Sequence, residues 1–362
     1  MESRLAIGAM SGTSLDGLDL ILVEFNWQKQ ALESTISYRI LDSKTEVYDE
    51  DLKDSLRNAF LINGSELKKL DHELGCFFGR YIREFIQDLS PELRERKIDF
   101  IASHGHTVFH NPKEKYTCQI GNGPEISWET GLLTVTDFRT QDVVMGGQGA
   151  PLVPVGDKLL FSEFGSCLNL GGFANISFDA NSQRLAYDIV PVNILLNYFC
   201  EKERLDFDPG GENAEKGKIN TSLLRELNAY SFYHKTGPKS LGKEQVEDFY
   251  IPLIESFDMS FEDRLCTIVE HAAVQITQVI EPLATKVLVT GGGGHNHFLM
   301  DRISSKLHKS HLEKAETTLL EFKEALIFAF LGLLRIQDIN NVFASVTGAE
   351  QDHSSGIIHR VN

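Results

Sequence analysis

Residues 5–25 read Leu-Ala-Ile-Gly-Ala-Met-Ser-Gly-Thr-Ser-Leu-Asp-Gly-Leu-Asp-Leu-Ile-Leu-Val-Glu-Phe. Both ends are aliphatic and β-branched while the middle is small and polar. That is the pattern of a strand, a glycine-bearing turn and a second strand. Gly8, Gly12 and Gly17 leave the backbone free to approach a ligand closely. Successive amides in such a turn form an anion-binding concavity, to which Ser11, Thr13 and Ser14 add hydroxyl donors. A plain hairpin that merely needs left-handed residues closes in two. This turn is longer and ends on a carboxylate, so residues Ser11, Gly12, Thr13, Ser14, Leu15, Asp16 and Gly17 read as a phosphate-binding segment. Asp16 is the candidate to hold Mg2+ through water, because that ion keeps much of its hydration shell.

Working outward, residues 167–178 repeat the arrangement. Asn169-Leu-Gly-Gly-Phe-Ala-Asn-Ile-Ser177 has Gly171 and Gly172 at its tip and Asn175 just beyond. Alone it reads equally well as an ordinary hairpin. Two similar α/β halves, each presenting a backbone-amide turn, point to a nucleotide clamped between them. A third glycine segment, Thr290-Gly-Gly-Gly-Gly-His-Asn296, stands between a strand at 286–290 and a helix at 298–307. It departs from the dinucleotide fingerprint, since Asn296 replaces the last glycine. Gly291, Gly292, Gly293 and Asn296 can offer a flat surface to an adenine; tight strand-to-helix packing is the alternative.

Ala186-Tyr-Asp-Ile-Val-Pro-Val-Asn193 carries the chemistry that matters most. The reading ends a strand at Asp188 and starts a helix at Pro191, running to 202, with proline in its first turn. A carboxylate fixed there can orient or deprotonate an attacking oxygen in phosphoryl transfer. The same acid also reads as a helix cap, and the residues alone leave the two open. Ser103-His-Gly-His-Thr-Val-Phe-His110 holds three histidines without an acid or cysteine at ligand spacing, which favours hydrogen bonding by His104 and His106 over a metal site. Arg139, in Thr-Asp-Phe-Arg, could grip a carboxylate in a bidentate fashion or form an ordinary ion pair. Glu324 heads an apolar helix, as an exposed first-turn acid or a pocket acceptor. Among known signatures, the P-loop, the His-Arg-Asp kinase loop and the Gly-x-Ser-x-Gly elbow are all missing.

The chain has 362 residues, more than one core comfortably serves, so two domains are expected. The divisions drawn are 1–160, joined by the tail 345–362, and 161–344. A net charge of −17 repels phosphate backbones and anionic lipid surfaces, which argues against nucleic-acid and membrane roles. The start, Met-Glu-Ser-Arg-Leu, lacks the basic and long apolar stretches of a secretory signal. The five cysteines, at 76, 118, 167, 200 and 266, are scattered and odd in number. They fit reduced thiols, and the expected location is the cytoplasm.

Taken in order, these segments resemble the anhydro-N-acetylmuramic acid kinase family over essentially the whole chain. The matching pieces are 8–17, 103–107, 137–139, 146–154, 168–177, 290–296 and Glu-Ala-Leu at 324–326. The resemblance implies a two-lobed, actin-like (ribonuclease H-like) α/β fold with ATP and Mg2+ in the cleft between the lobes. It implies a reaction in which water opens the 1,6-anhydro ring while the sugar's O6 takes the γ-phosphoryl, giving N-acetylmuramic acid 6-phosphate in peptidoglycan recycling. Asp188 matches the family's water-activating aspartate, and Arg139 and Glu324 match sugar-contacting positions; His104, Thr107 and Gln148 are placed with them. A homodimer is what the family implies. The chain departs from the family's Asp-Thr-Gly-Pro-Gly-Asn at Val190 and Val192, has Asn197 for a later aspartate and His106 for a glutamine. Valine side chains there are expected to crowd a ligand. A kinase for another sugar and a catalytically silent nucleotide-binding paralogue therefore stand as the alternatives.

Overall fold

The computed structural model describes every residue except 13–14, 30, 236 and 362. Thr13 and Ser14 of the first turn thus lie outside the described residues. The strands are, in chain order, β1 (Glu2–Ser11), β2 (Gly17–Trp27), β3 (Ser37–Val47), β4 (Phe100–Ser103), β5 (His106–Asn111), β6 (Tyr116–Ile120) and β7 (Thr134–Thr136). There follow β8 (Ser166–Leu170), β9 (Phe173–Ala180), β10 (Gln183–Pro191), β11 (Lys286–Thr290), β12 (His311–Lys314) and β13 (Ile357–His359). The chain divides into two compact units, 1–160 with 322–362, and 161–321. Residues 322–344, which the sequence reading grouped with 161–321, pack in the first unit.

The first unit is built on a six-stranded mixed sheet in the order β13-β7-β4-β1-β2-β3. β1 and β2 pair antiparallel from Glu2↔Trp27 to Ser11↔Leu18, and β4 runs parallel to β1. Period-two alternation sends Leu5, Ile7, Leu20 and Leu22 to one face, where the helix Gly64–Asp88 supplies Leu70, Leu74, Phe78, Ile82 and Phe85. These recur at steps of three and four, one stripe of the helix. Asn63 and Glu66 close its start with a reciprocal capping box. On the other face Gly8 is indispensable. A Cβ there would stand 2.0 Å from the Ala325 carbonyl oxygen, so the helix Thr317–Ile336 lies directly on the strand. Glu324 is eight residues into that helix rather than at its head, because the helix begins in the polar stretch before the apolar run.

The second unit holds a five-stranded mixed sheet, β10-β9-β8-β11-β12. β8, β9 and β10 form an antiparallel meander, while β11 runs parallel to β8 and β12 to β11. Leu168, Leu170, Ala174, Ile176, Val287 and Val289 join residues of the helices Asn193–Lys202 and Phe261–Ile280 in one core. Pro191 ends β10 instead of opening the helix. β10 is an edge strand, where a missing N–H costs no ladder bond. The expected crowding by valine does not occur. Val190 and Val192 are fully buried in this core, and a register shift after Asp188 turns Val190 inward opposite Ala174. The α/β expectation holds in both units.

Candidate active site

In the first unit the turn leaves β1 at Ser11 and re-enters at Gly17. Ser11 is 2% exposed. The Tyr48 hydroxyl donates to Ser11 Oγ at 2.8 Å, and Ser11 Oγ lies 3.2 Å from His106 Nδ1. Tyr48's direction leaves the serine proton to His106, so the Ser11 hydroxyl is engaged within the protein. It anchors the turn. Burial pushes the His106 imidazole down, keeping it neutral as this chain requires. Leu15 adopts a left-handed φ of 61° with its side chain buried. Gly17 sits under the Glu46 carbonyl, 2.4 Å from where a Cβ would fall. Asp16 is exposed beyond these anchors, and among the described residues no group of three or more His, Cys, Asp or Glu is placed to cage a metal. A hard cation there would rest on one carboxylate, water and ligand oxygens, the set that suits Mg2+.

His104, Arg139 and Glu324 come together in the same unit. Arg139 Nε donates to His104 Nε2 at 3.0 Å, and Nη1 donates to the Gly149 carbonyl at 2.6 Å. Since Nε2 accepts, the His104 proton sits on Nδ1, which is buried and finds no well-formed partner among the described residues. A guanidinium against the ring rules out a metal on that nitrogen. Burial, then the Arg139 charge, hold His104 well below its usual range. Burial draws Arg139 down to about 10, opposed by Glu324 and Asp142, and it stays cationic at neutral pH. Glu324 keeps an exposed surface though protein surrounds it. That crowding raises its carboxyl, opposed by Arg139 and Lys323.

Asp142, which the sequence reading did not single out, organises the loop beside Arg139. It is fully buried and accepts from Gly149 N at 2.6 Å and Thr347 Oγ1 at 2.7 Å. Gly147 must be glycine, for a Cβ would press on that carboxylate at 2.2 Å. Gln148 is exposed, its amide nitrogen held by the Thr347 carbonyl at 2.8 Å. Thr107, on β5, accepts from Gln119 Nε2 at 3.2 Å.

In the second unit Asp188, Asn175, Asn169 and Thr290 are register partners across β10, β9, β8 and β11. Directly opposed residues share a face, so these four form a polar row on the side away from the Leu168–Ile176–Val289 core. Asp188 lies three residues before the end of its strand. It does not cap the helix, whose N-cap is Val192. Its Oδ2 accepts from Leu241 N at 2.9 Å. Burial raises its carboxyl above the usual range, and the Leu241 amide opposes that rise.

The glycine segments meet at one end of this row. Cβ atoms on Gly291 and Gly293 would strike Asn169 Oδ1 at 2.5 Å and Leu170 O at 2.8 Å, while Gly292 faces open space. Gly171 and Gly172 form the β8–β9 turn. Their carbonyls accept from the amides of Val192, Asn193 and Ile194. The first-turn amides of the following helix are therefore committed to the turn, and that turn's own amides are what remain for an anion. Asn296 is buried and caps the next helix, its Oδ1 accepting from Leu299 N at 2.9 Å.

Comparison with known proteins identifies the family. The sequence profile of the family described as "Anhydro-N-acetylmuramic acid kinase" matches residues 4–360. The anhydro-N-acetylmuramic acid kinase of Vibrio cholerae is 35% identical, covering 99% of both chains. That of Pasteurella multocida is also 35% identical, over 98% of this chain and 96% of its own, and that of Haemophilus influenzae is 32% identical over 99% and 98%. A match of this extent, end to end, makes the chain a member of the anhydro-N-acetylmuramic acid kinase family.

Proposed function

We propose that this protein is an ATP-dependent kinase of actin-like, two-lobed plan that hydrolyses the 1,6-anhydro ring of anhydro-N-acetylmuramic acid and phosphorylates its O6. The product, N-acetylmuramic acid 6-phosphate, would enter cytoplasmic recycling of peptidoglycan. The full-length match to relatives named anhydro-N-acetylmuramic acid kinase carries the reading. The core burial of Val190 and Val192 removes the reason for preferring a different sugar.

In this reading Asp188 takes a proton from water as the water oxygen bonds to C1. The C1–O6 bond breaks, and O6 takes the γ-phosphoryl group, releasing ADP. A carboxyl raised by burial is better matched to that proton transfer than an ordinary aspartate. The amides of Gly12, Asp16 and Gly17, with those of Gly171 and Gly172, receive phosphate oxygens, while the Leu15 amide closes the turn on the Gly12 carbonyl. Gly291, Gly292 and Gly293 border the adenosine. Mg2+, held by Asp16 through water, would neutralise phosphate charge. Arg139 has Nη2 to spare after its bonds to His104 and Gly149, and, oriented by His104, it grips the sugar together with Glu324.

The test is mass spectrometry of products after incubation with ATP, Mg2+ and the anhydro sugar in 18O-water. We expect one phosphoryl group and one heavy oxygen, both on the sugar. Unaltered sugar, or heavy oxygen in released phosphate, would defeat the assignment.

A further inference from the structure

We propose that residues 239–241 form a main-chain strap that positions the Asp188 carboxylate for reaction, with Lys239 as the anchor of that strap. The inference rests on Asp188 being the base. Among the described residues the outer edge of β10 carries no strand, and the strap lies along it. Asp188 N donates to the Lys239 carbonyl at 2.9 Å, and Leu241 N donates to Asp188 Oδ2 at 2.9 Å. One segment thus fixes both the backbone and the carboxylate of the same residue.

The strap is itself tied down at both ends. Lys239 Nζ donates to the carbonyls of Phe232 at 3.2 Å and Lys235 at 3.3 Å, and it lies 4.7 Å over the Phe232 ring. That ring is buried, as is Leu241. Beyond them Gly242 N donates to Gln245 Oε1 at 2.6 Å. The charged groups of the elements around Asp188 are turned elsewhere. Lys235 also faces the Phe232 ring, Lys243 pairs with Glu247, and Arg184 and Asp179 lie further down the sheet and oppose each other. Burial and the Leu241 amide are what set the ionisation of Asp188.

A strap of this kind makes the acid limb of the pH–rate profile depend on residues that touch no substrate. Leu241→Pro removes the N–H, and Lys239→Met loosens the anchor. Each withdraws stabilisation from the ionised carboxylate. The acid limb of kcat/KM should move to higher pH, by about one unit for the proline variant and less for Lys239→Met, with KM for ATP within about twofold. Should Leu241→Pro fail to fold, Lys239→Met decides the matter. An acid limb that stays in place in Lys239→Met, while Asp188→Asn is inactive, overturns the strap. If Asp188→Asn keeps full turnover, the reading of the base falls and the strap with it.

Discussion

Two influences oppose each other at Asp188, where burial lifts the carboxyl and the Leu241 amide lowers it, with the lift prevailing. An acid whose folded value exceeds its unfolded one contributes stability in its protonated form. That contribution is full below the unfolded value, about 3.9, and is lost as pH rises through the folded value. At neutral pH the ionised group therefore costs stability. Asp188→Asn should lower kcat by about 100-fold or more while holding or raising Tm at pH 7, a gain that disappears near pH 4. Coupled ADP release and thermal melts across pH check both halves; a lower Tm at pH 7 counts against the account. Arg139→Lys keeps the charge but cannot serve His104, Gly149 and a ligand from one plane. We expect KM for the sugar to rise about 10-fold or more with KM for ATP little changed, read from initial rates. Asp188 stood out in the sequence because a lone acid between strand and helix is conspicuous. Asp142 and Tyr48 did not, since their importance arises from contacts such as Asp142–Thr347, 205 positions apart, which no local pattern records.

At the scale of elements, both glycine hairpins were legible because alternation of apolar residues flanks a polar turn. Pro191 and the two valines were misjudged for one reason: a sequence does not reveal that β10 is an edge strand or that its register shifts after Asp188. The glycines offer a sharper test. Gly8→Ala should destabilise the protein by about 1–3 kcal/mol or more, because its methyl would meet the Ala325 carbonyl. Gly64→Ala serves as the control. Nothing lies within 4 Å of its added methyl, it opens a helix, and it should be neutral or slightly stabilising. Chemical denaturation of the pair checks this, and equal midpoints would show that β1 and the helix Thr317–Ile336 do not pack as described.

Over the whole molecule, the two-part organisation was foreshadowed by the repeated hairpins. The membership of 322–344 was not, since a helix apolar all round shows no face by which to assign it. Among the described residues no helix is long and apolar enough to cross a membrane. In the proposed reading a protein of net charge −17 meets ATP through local amides and Mg2+. ATP should therefore raise Tm strongly with Mg2+ and weakly without it. At a nucleotide concentration about 100 times Kd the stabilisation should approach about 2.7 kcal/mol, and a shift indifferent to Mg2+ would remove the ion from the site. The Leu241 contact with Asp188 has an evolutionary corollary. Its donor belongs to the peptide unit, which every amino acid but proline possesses. Homologues can thus let the identity at 241 drift while keeping the contact intact, and an alignment column full of variety there would conceal a fixed role.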